Sequence, residues 1–181
     1  MPALAHLGIG FVTKRFVPQI PLWVLLISSM VLDILSGIFI FAIWITHGLF
    51  MSVIWSIIAV LITTLITFHL KPKKGQHKKE NLTIWSLEIS QVSMIIGLLV
   101  FSHWILDFIG WPMSIIDSNA TGVPLLFDDS VNIGLGVYST WFGALLMDIG
   151  VFVMGLVVYI HYIKKIKKIK VTDEISQQNN F

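Results

Sequence analysis

The chain has 181 residues, of which 56% are hydrophobic and only 12% charged, and a formal net charge of +2. A soluble domain would carry about 25% charged residues, so the composition excludes an ordinary water-soluble fold and points to one bilayer domain with no appended soluble catalytic domain. There is no cysteine, which excludes disulfides, thiolate metal sites and cysteine nucleophiles, so any metal ligation has to use His, Asp or Glu.

In chain order, the first apolar piece is Pro2 to Val12, followed by Lys14 and Arg15. As a helix it would be about 16 Å long, too short to cross a hydrocarbon core of about 30 Å. Two readings compete: an amphipathic helix on the cytoplasmic interface, or a half-helix over residues 2–13 that carries His6 toward mid-membrane. The half-helix is favoured. Because the basic pair follows the apolar stretch, no cleaved signal peptide is expected. Four runs of spanning length come next: Pro21 to Ile45, Leu49 to Leu70, Ile84 to Ile109 and Val137 to Ile163. Residues 46–48 join the first two as a hairpin, and a loop over 110–136 joins the last two. That loop carries Asp117, Asp128 and Asp129 and no Lys or Arg. The expected fold is an all-α integral membrane protein, a four-transmembrane-helix bundle with a short N-terminal half-helix.

All 12 basic residues fall in three places: Lys14 and Arg15, the run Lys71 to Lys79, and the tail Lys164 to Lys170. Four spans put all three on one side, which the positive-inside rule makes cytoplasmic, with both termini inside and the acidic loop outside. Residues 171–181 are polar and expected to be disordered. The tryptophans at 23, 44, 85, 104, 111 and 141 fall mostly near span ends, as an aromatic belt requires.

Ionisable groups inside spans are costly, and they pair, bind ions or relay protons. His103 and Asp107 stand four residues apart, on one helix face, a spacing that suits a metal site or a mutually satisfied polar pair. Asp33 and Asp148 lie mid-span with no basic partner, both about 20 Å from the cytoplasmic boundary, which argues for a bound cation or a shared proton. His47 occupies the outer hairpin turn. His69, His77, His161 and Glu88 lie near the basic clusters and read as interfacial.

The segments "AHLGIGFVTKR", "PLWVLLISSMVLDIL", "HGLFMS", "SHWILDF" and "VNIGLGVYST" together resemble the YdjM-like membrane-bound metal-dependent hydrolases of bacteria and archaea, over roughly residues 4–160. That group is similar in turn to zinc-dependent phospholipase C and P1 nuclease. The resemblance implies a prokaryotic inner-membrane protein in which His6, Asp33, His47, His103 and Asp107 are metal ligands, Asp107 and Asp148 take catalytic roles, and the ion is Zn²⁺, with Mn²⁺ or Fe²⁺ as alternatives. It implies a lipid-like or phosphoester substrate and no nucleic acid partner. Straight helices would leave His47 and Asp107 about 15 Å from Asp33 along the membrane normal, so one compact site requires tilt, kinks or an earlier start to the second helix. Two other classes fit the same residues: a small ion or proton-coupled transporter, which predicts a homo-oligomer, and a structural protein with the polar groups as interhelical glue.

Overall fold

The computed structural model describes residues 3–38, 43–69, 81–115, 118–126 and 131–178. The basic run from Lys71 to Lys79 and the loop acids Asp117, Asp128 and Asp129 lie outside these residues. The helices are α1 (Ala3–Thr13), α2 (Leu22–Ser29), α3 (Val31–Ile38), α4 (Ile43–Thr46), α5 (Leu49–His69), α6 (Asn81–Gly110) and α7 (Trp141–Gln178). Between α6 and α7 lie two short antiparallel strands, β1 (Val123–Pro124) and β2 (Asn132–Ile133), and a 3-10 turn, Val137–Ser139.

Three stretches are long and apolar enough to cross a membrane: Leu49–His69, Ser90–Gly110 and Trp141–Ile169. Their outward faces carry large apolar side chains, such as Ile57, Leu61 and Leu65 on α5 and Leu145, Val153 and Val157 on α7. Water would not tolerate such continuous apolar surface, whereas lipid does. The protein is thus a mostly helical molecule with the character of an all-α membrane protein. α6 is the central helix, touching α1, α2, α3 and α5.

The expected first span, Pro21 to Ile45, is not one helix. α2 ends at Ser29, Met30 takes φ −106° and ψ 3°, and α3 starts at Val31. The Ser29 hydroxyl donates to the Leu26 carbonyl at 2.8 Å, a back-bond that competes with regular helix geometry and bends it. α3 and α4 then pack against each other, so the chain folds back where a straight span was expected. The tail also differs from expectation, since α7 continues as helix through Gln178 and takes in residues to which the sequence assigned no structure.

α1 is packed inside the bundle against α7, α2 and α6, with Ala5 and His6 buried, which excludes a helix lying on an interface. It runs parallel to α7, because Ala5 meets Asp148 while Phe11 meets Phe152 and Tyr159. Lys14 and Arg15 therefore point toward the same end of the bundle as the lysines of α7. Lys14 Nζ donates to the carbonyls of Pro18 and Ile20, and burial lowers its pKa. At that end Val17, Ile20 and Leu25 pack with Val92, Ile96 and Leu99 as an apolar core.

The α1–α7 contact is made by backbones. A Cβ on Gly155 would lie 2.2 Å from the Gly8 carbonyl oxygen, and one on Gly8 would lie 2.5 Å from that of Val151. Small residues at helix crossings are the usual means of close packing in lipid. Gly155→Val has to push α1 off α7, so a stability loss of about 1–3 kcal/mol is expected, measured by unfolding in detergent, while Gly37→Ala, with open space around it, should be far milder.

Candidate metal centre

Five side chains distant in sequence converge near the N-terminal ends of α1 and α3, the C-terminal end of α6 and the turn before α5. They are His6, Asp33, His47, His103 and Asp107, the complete ligand set that the resemblance implies. His6, His47, His103 and Asp107 are all at most 3% exposed, and the Asp33 side chain, at 14%, is the most accessible of the five.

Four donor atoms form a ring. His47 Nε2 lies 3.3 Å from Asp33 Oδ1, which lies 3.5 Å from His103 Nε2; Asp107 Oδ2 lies 3.5 Å from both His103 Nε2 and His47 Nε2. Good N–H···O bonds span about 2.7–3.2 Å, so these separations are long for direct hydrogen bonding. They fit the edges of a coordination shell: donors about 2.1 Å from one ion are about 3.0 Å apart at right angles and about 3.4 Å apart at tetrahedral angles. The fifth residue joins through Asp107, whose Oδ1 lies 3.5 Å from His6 Nε2.

Unpartnered atoms point the same way. His103 Nε2, Asp33 Oδ2, Asp107 Oδ2 and His6 Nδ1 are buried without a hydrogen-bond partner, which a native interior rarely leaves uncompensated. Two carboxylates in a membrane interior need about two positive charges nearby. Imidazolium supplies this poorly here, because the His6 and His103 rings stack in parallel with centroids 3.6 Å apart, where two cations would repel. A single divalent cation held there would balance the charge of both carboxylates.

The histidines are oriented from behind. His103 Nδ1 donates to the Ser29 carbonyl at 2.8 Å, the group at the end of α2 where the helix breaks, and this commits Nε2 to the ring. His47 Nδ1 lies 2.7 Å from Thr46 Oγ1, which as acceptor leaves His47 Nε2 with its lone pair. Such partners fix tautomer and ring direction in metal-ligating histidines. Two donor triads, His6 with Asp33 and His103, and His47 with His103 and Asp107, each lie within 4.8 Å, and both contain His103. The single uncommitted nitrogen of His103 joins them into one cluster that could hold a metal ion.

The expected 15 Å separation is removed by the break at Met30 and the fold-back of α4, which return His47 to the level of Asp33. Asp148 stands apart from the ring: its Oδ1 accepts the Ala5 backbone N–H at 2.8 Å. His69 and His161 are likewise outside the cluster among the described residues. Trp104 stacks between Phe101 and Phe108 on its own helix.

Sequence reasoning passed over Ser29, Thr46 and Tyr138. A hydroxyl residue directly before His47 was a usable signal for Thr46, whereas a backbone carbonyl released by a helix break leaves no mark in sequence. Tyr138, in the 3-10 turn, is buried with its ring flush against Gly110. Burial raises its phenol pKa, and the charges of Asp148 and Asp107 push the same way.

No protein-family model matches the chain, and no curated protein and no solved structure matches it either. The reading of the centre therefore rests on its own geometry. Thr46→Val, which removes the hydroxyl behind His47 and keeps the shape, is expected to weaken divalent-metal binding about 10- to 100-fold by titration calorimetry in detergent, with Thr46→Ser near wild type.

Proposed function

We propose that this protein is a membrane-embedded, metal-dependent hydrolase of the YdjM-like kind, acting on a phosphoester lipid or a similar membrane substrate. The observation that carries the proposal is the buried ring of two histidines and two carboxylates with edges of 3.3–3.5 Å, backed by His6. Nitrogen and oxygen donors without sulfur suit Zn²⁺ first, then Mn²⁺ or Fe²⁺. A divalent ion held there would supply Lewis-acid polarisation of a phosphoryl oxygen and a nucleophilic water near neutral pH. His103 and His47, fixed from behind, present neutral nitrogens. Asp33 holds the accessible edge, on a helix whose Ile34 and Ile38 are exposed, so substrate approaches past Asp33 from the lipid side. Asp107 faces the ring with Oδ2 and His6 with Oδ1, and with a metal bound the Asp107–His6 pair would be placed to accept a proton from a nucleophilic water. A mostly apolar groove beside α1 and α6, whose lining includes Ile9, Phe16, Leu98 and Leu99 together with the hydroxyl residues Thr13 and Ser102, suits an acyl chain.

In the proposed topology the α2–α4 segment crosses the membrane in addition to the three long helices, with both termini cytoplasmic in a prokaryotic inner membrane. The parallel packing of α1 and α7, which brings Lys14, Arg15 and the α7 lysines to one end, supports this orientation.

One observation favours transport as the second reading. A broken helix at a buried ion site is a recurrent device of transporters, and α2–α3 is broken at Met30 beside the ring. Against it, the Ser29 carbonyl at the break is taken by His103, and the apolar core of Leu25, Val92, Ile96 and Leu99 closes the way toward the basic end.

Elemental analysis of detergent-purified protein is the first test. About one Zn, Mn or Fe per chain is expected in wild type and a near-complete loss in both His103→Ala and Asp33→Ala. Turnover of a fluorescent phosphoester lipid in mixed micelles, abolished in both variants, would support the hydrolase. Metal flux into proteoliposomes without lipid turnover would replace it with the transporter, and protein without metal after chelator-free purification would remove both metal readings.

A further inference from the structure

α1 carries one member of the centre, yet it is only 11 residues long. A helix this short has little stability of its own and takes its position from what it packs against. In lipid its first-turn N–H groups also need partners, because no water is there to bond them. The Ala5 N–H, at a residue with 0% exposure, finds its partner across 143 positions of sequence in the Asp148 carboxylate, at 2.8 Å. His6 is the next residue.

Asp148 is one tooth of a seam. Asp148, Phe152, Gly155 and Tyr159 follow one another at spacings of four, three and four residues, so they share one face of α7. Against that face lie Ala5, Gly8 and Phe11 in the same order. The Gly8–Gly155 backbone contact holds the two helices close, and the rings of Phe11, Phe152 and Tyr159 fill the end toward the basic residues. At the opposite end the Asp148–Ala5 bond fixes the rise and rotation of the first turn of α1.

We propose that Asp148 is a positioning residue of the metal centre: it locks the first turn of α1 to α7 and thereby sets His6 against Asp107. This rests on the metal reading above and assigns Asp148 a role without coordination. It requires an acceptor oxygen at position 148 and no negative charge, which separates it from a ligand or a general base.

The test is Zn²⁺ affinity of the full-length protein in detergent, with Co²⁺ substitution as a spectroscopic readout, for wild type, Asp148→Ala, Asp148→Asn, His6→Ala and the Asp148→Ala/His6→Ala double variant. Asp148→Ala is expected to lose about tenfold or more in affinity, as for other partners that orient a ligand. It should also shift the Co²⁺ visible bands in the same sense as His6→Ala. Asp148→Asn, which keeps an acceptor oxygen, should bind close to wild type. The double variant should bind no more weakly than His6→Ala, because the effect runs through His6. Wild-type affinity in Asp148→Ala overturns the proposal, as does an equal loss in Asp148→Asn or additive losses in the double variant. Should Asp148→Ala fail to fold, Asp148→Asn decides alone: retained affinity supports the role and a tenfold loss overturns it. Wild-type protein that binds no metal would remove the centre itself, a result distinct from an intact centre indifferent to position 148.

Discussion

Two carboxylates, Asp33 and Asp107, are held in an apolar interior without a Lys or Arg beside them in the ring, and the arrangement around them follows from that constraint. In such surroundings an ionised carboxylate has to meet a cation or a dense set of donors, or else take up a proton. Three histidines face the pair, from α1, the turn before α5, and α6. Their separations of 3.3–3.5 Å from the carboxylate oxygens are too wide for a closed hydrogen-bonded knot and suited to a shell around one divalent ion. The departures from a simple bundle serve this geometry. The helix break at Met30 frees the Ser29 carbonyl to orient His103, the fold-back at α3 and α4 brings His47 to Asp33, and α1 enters the bundle to deliver His6.

The remaining architecture is conventional for a protein in lipid. α5 and α7 turn long apolar faces outward, and α6 runs through the middle carrying both His103 and Asp107. Packing relies on small residues. Gly97 faces Val60 and the Ser56 carbonyl of α5, Thr64 bonds Ser93 across the same pair, and Gly8 meets Gly155. Where lipid tails are as apolar as the helices, close backbone approach and scattered hydroxyl bonds replace the hydrophobic driving force that would hold such helices together in water. α6 carries both groups, His103 and Asp107 of the polar centre and, further toward its N-terminus, Val92, Ile96 and Leu99 of the apolar core, which Val17, Ile20 and Leu25 complete. The apolar core and the polar cluster thereby lie toward opposite ends of the bundle.

This division bears on function. Under the proposed function, the cluster would meet its substrate past Asp33, the most accessible of the five residues. Each histidine of the cluster is set by a group outside it: His103 by a carbonyl, His47 by a hydroxyl, and His6 by its place on α1, whose first turn bonds Asp148.

Much of this was legible in the sequence. The apolar runs at 49–70, 84–109 and 137–163 announced the long helices because a bilayer sets a minimum length and leaves no other way to satisfy the backbone. Asp33, His103 and Asp107 stood out because ionisable groups are rare in such runs and each demands a reason, whereas the family resemblance joined His6 and His47 to them. Distances were not legible. A straight reading of Pro21 to Ile45 put Asp33 and His47 far apart, because hydropathy records how apolar a segment is and not whether its helix breaks and turns back. Asp148 illustrates the same limit: its depth suggested a partner for Asp33, while its actual partner is a backbone N–H on a helix that the sequence could place either inside or on the surface. Sequence determined which residues could not be left alone in lipid; only the tertiary structure decided which of them meet, because that depends on helix breaks, crossing contacts and backbone groups that carry no side-chain signature.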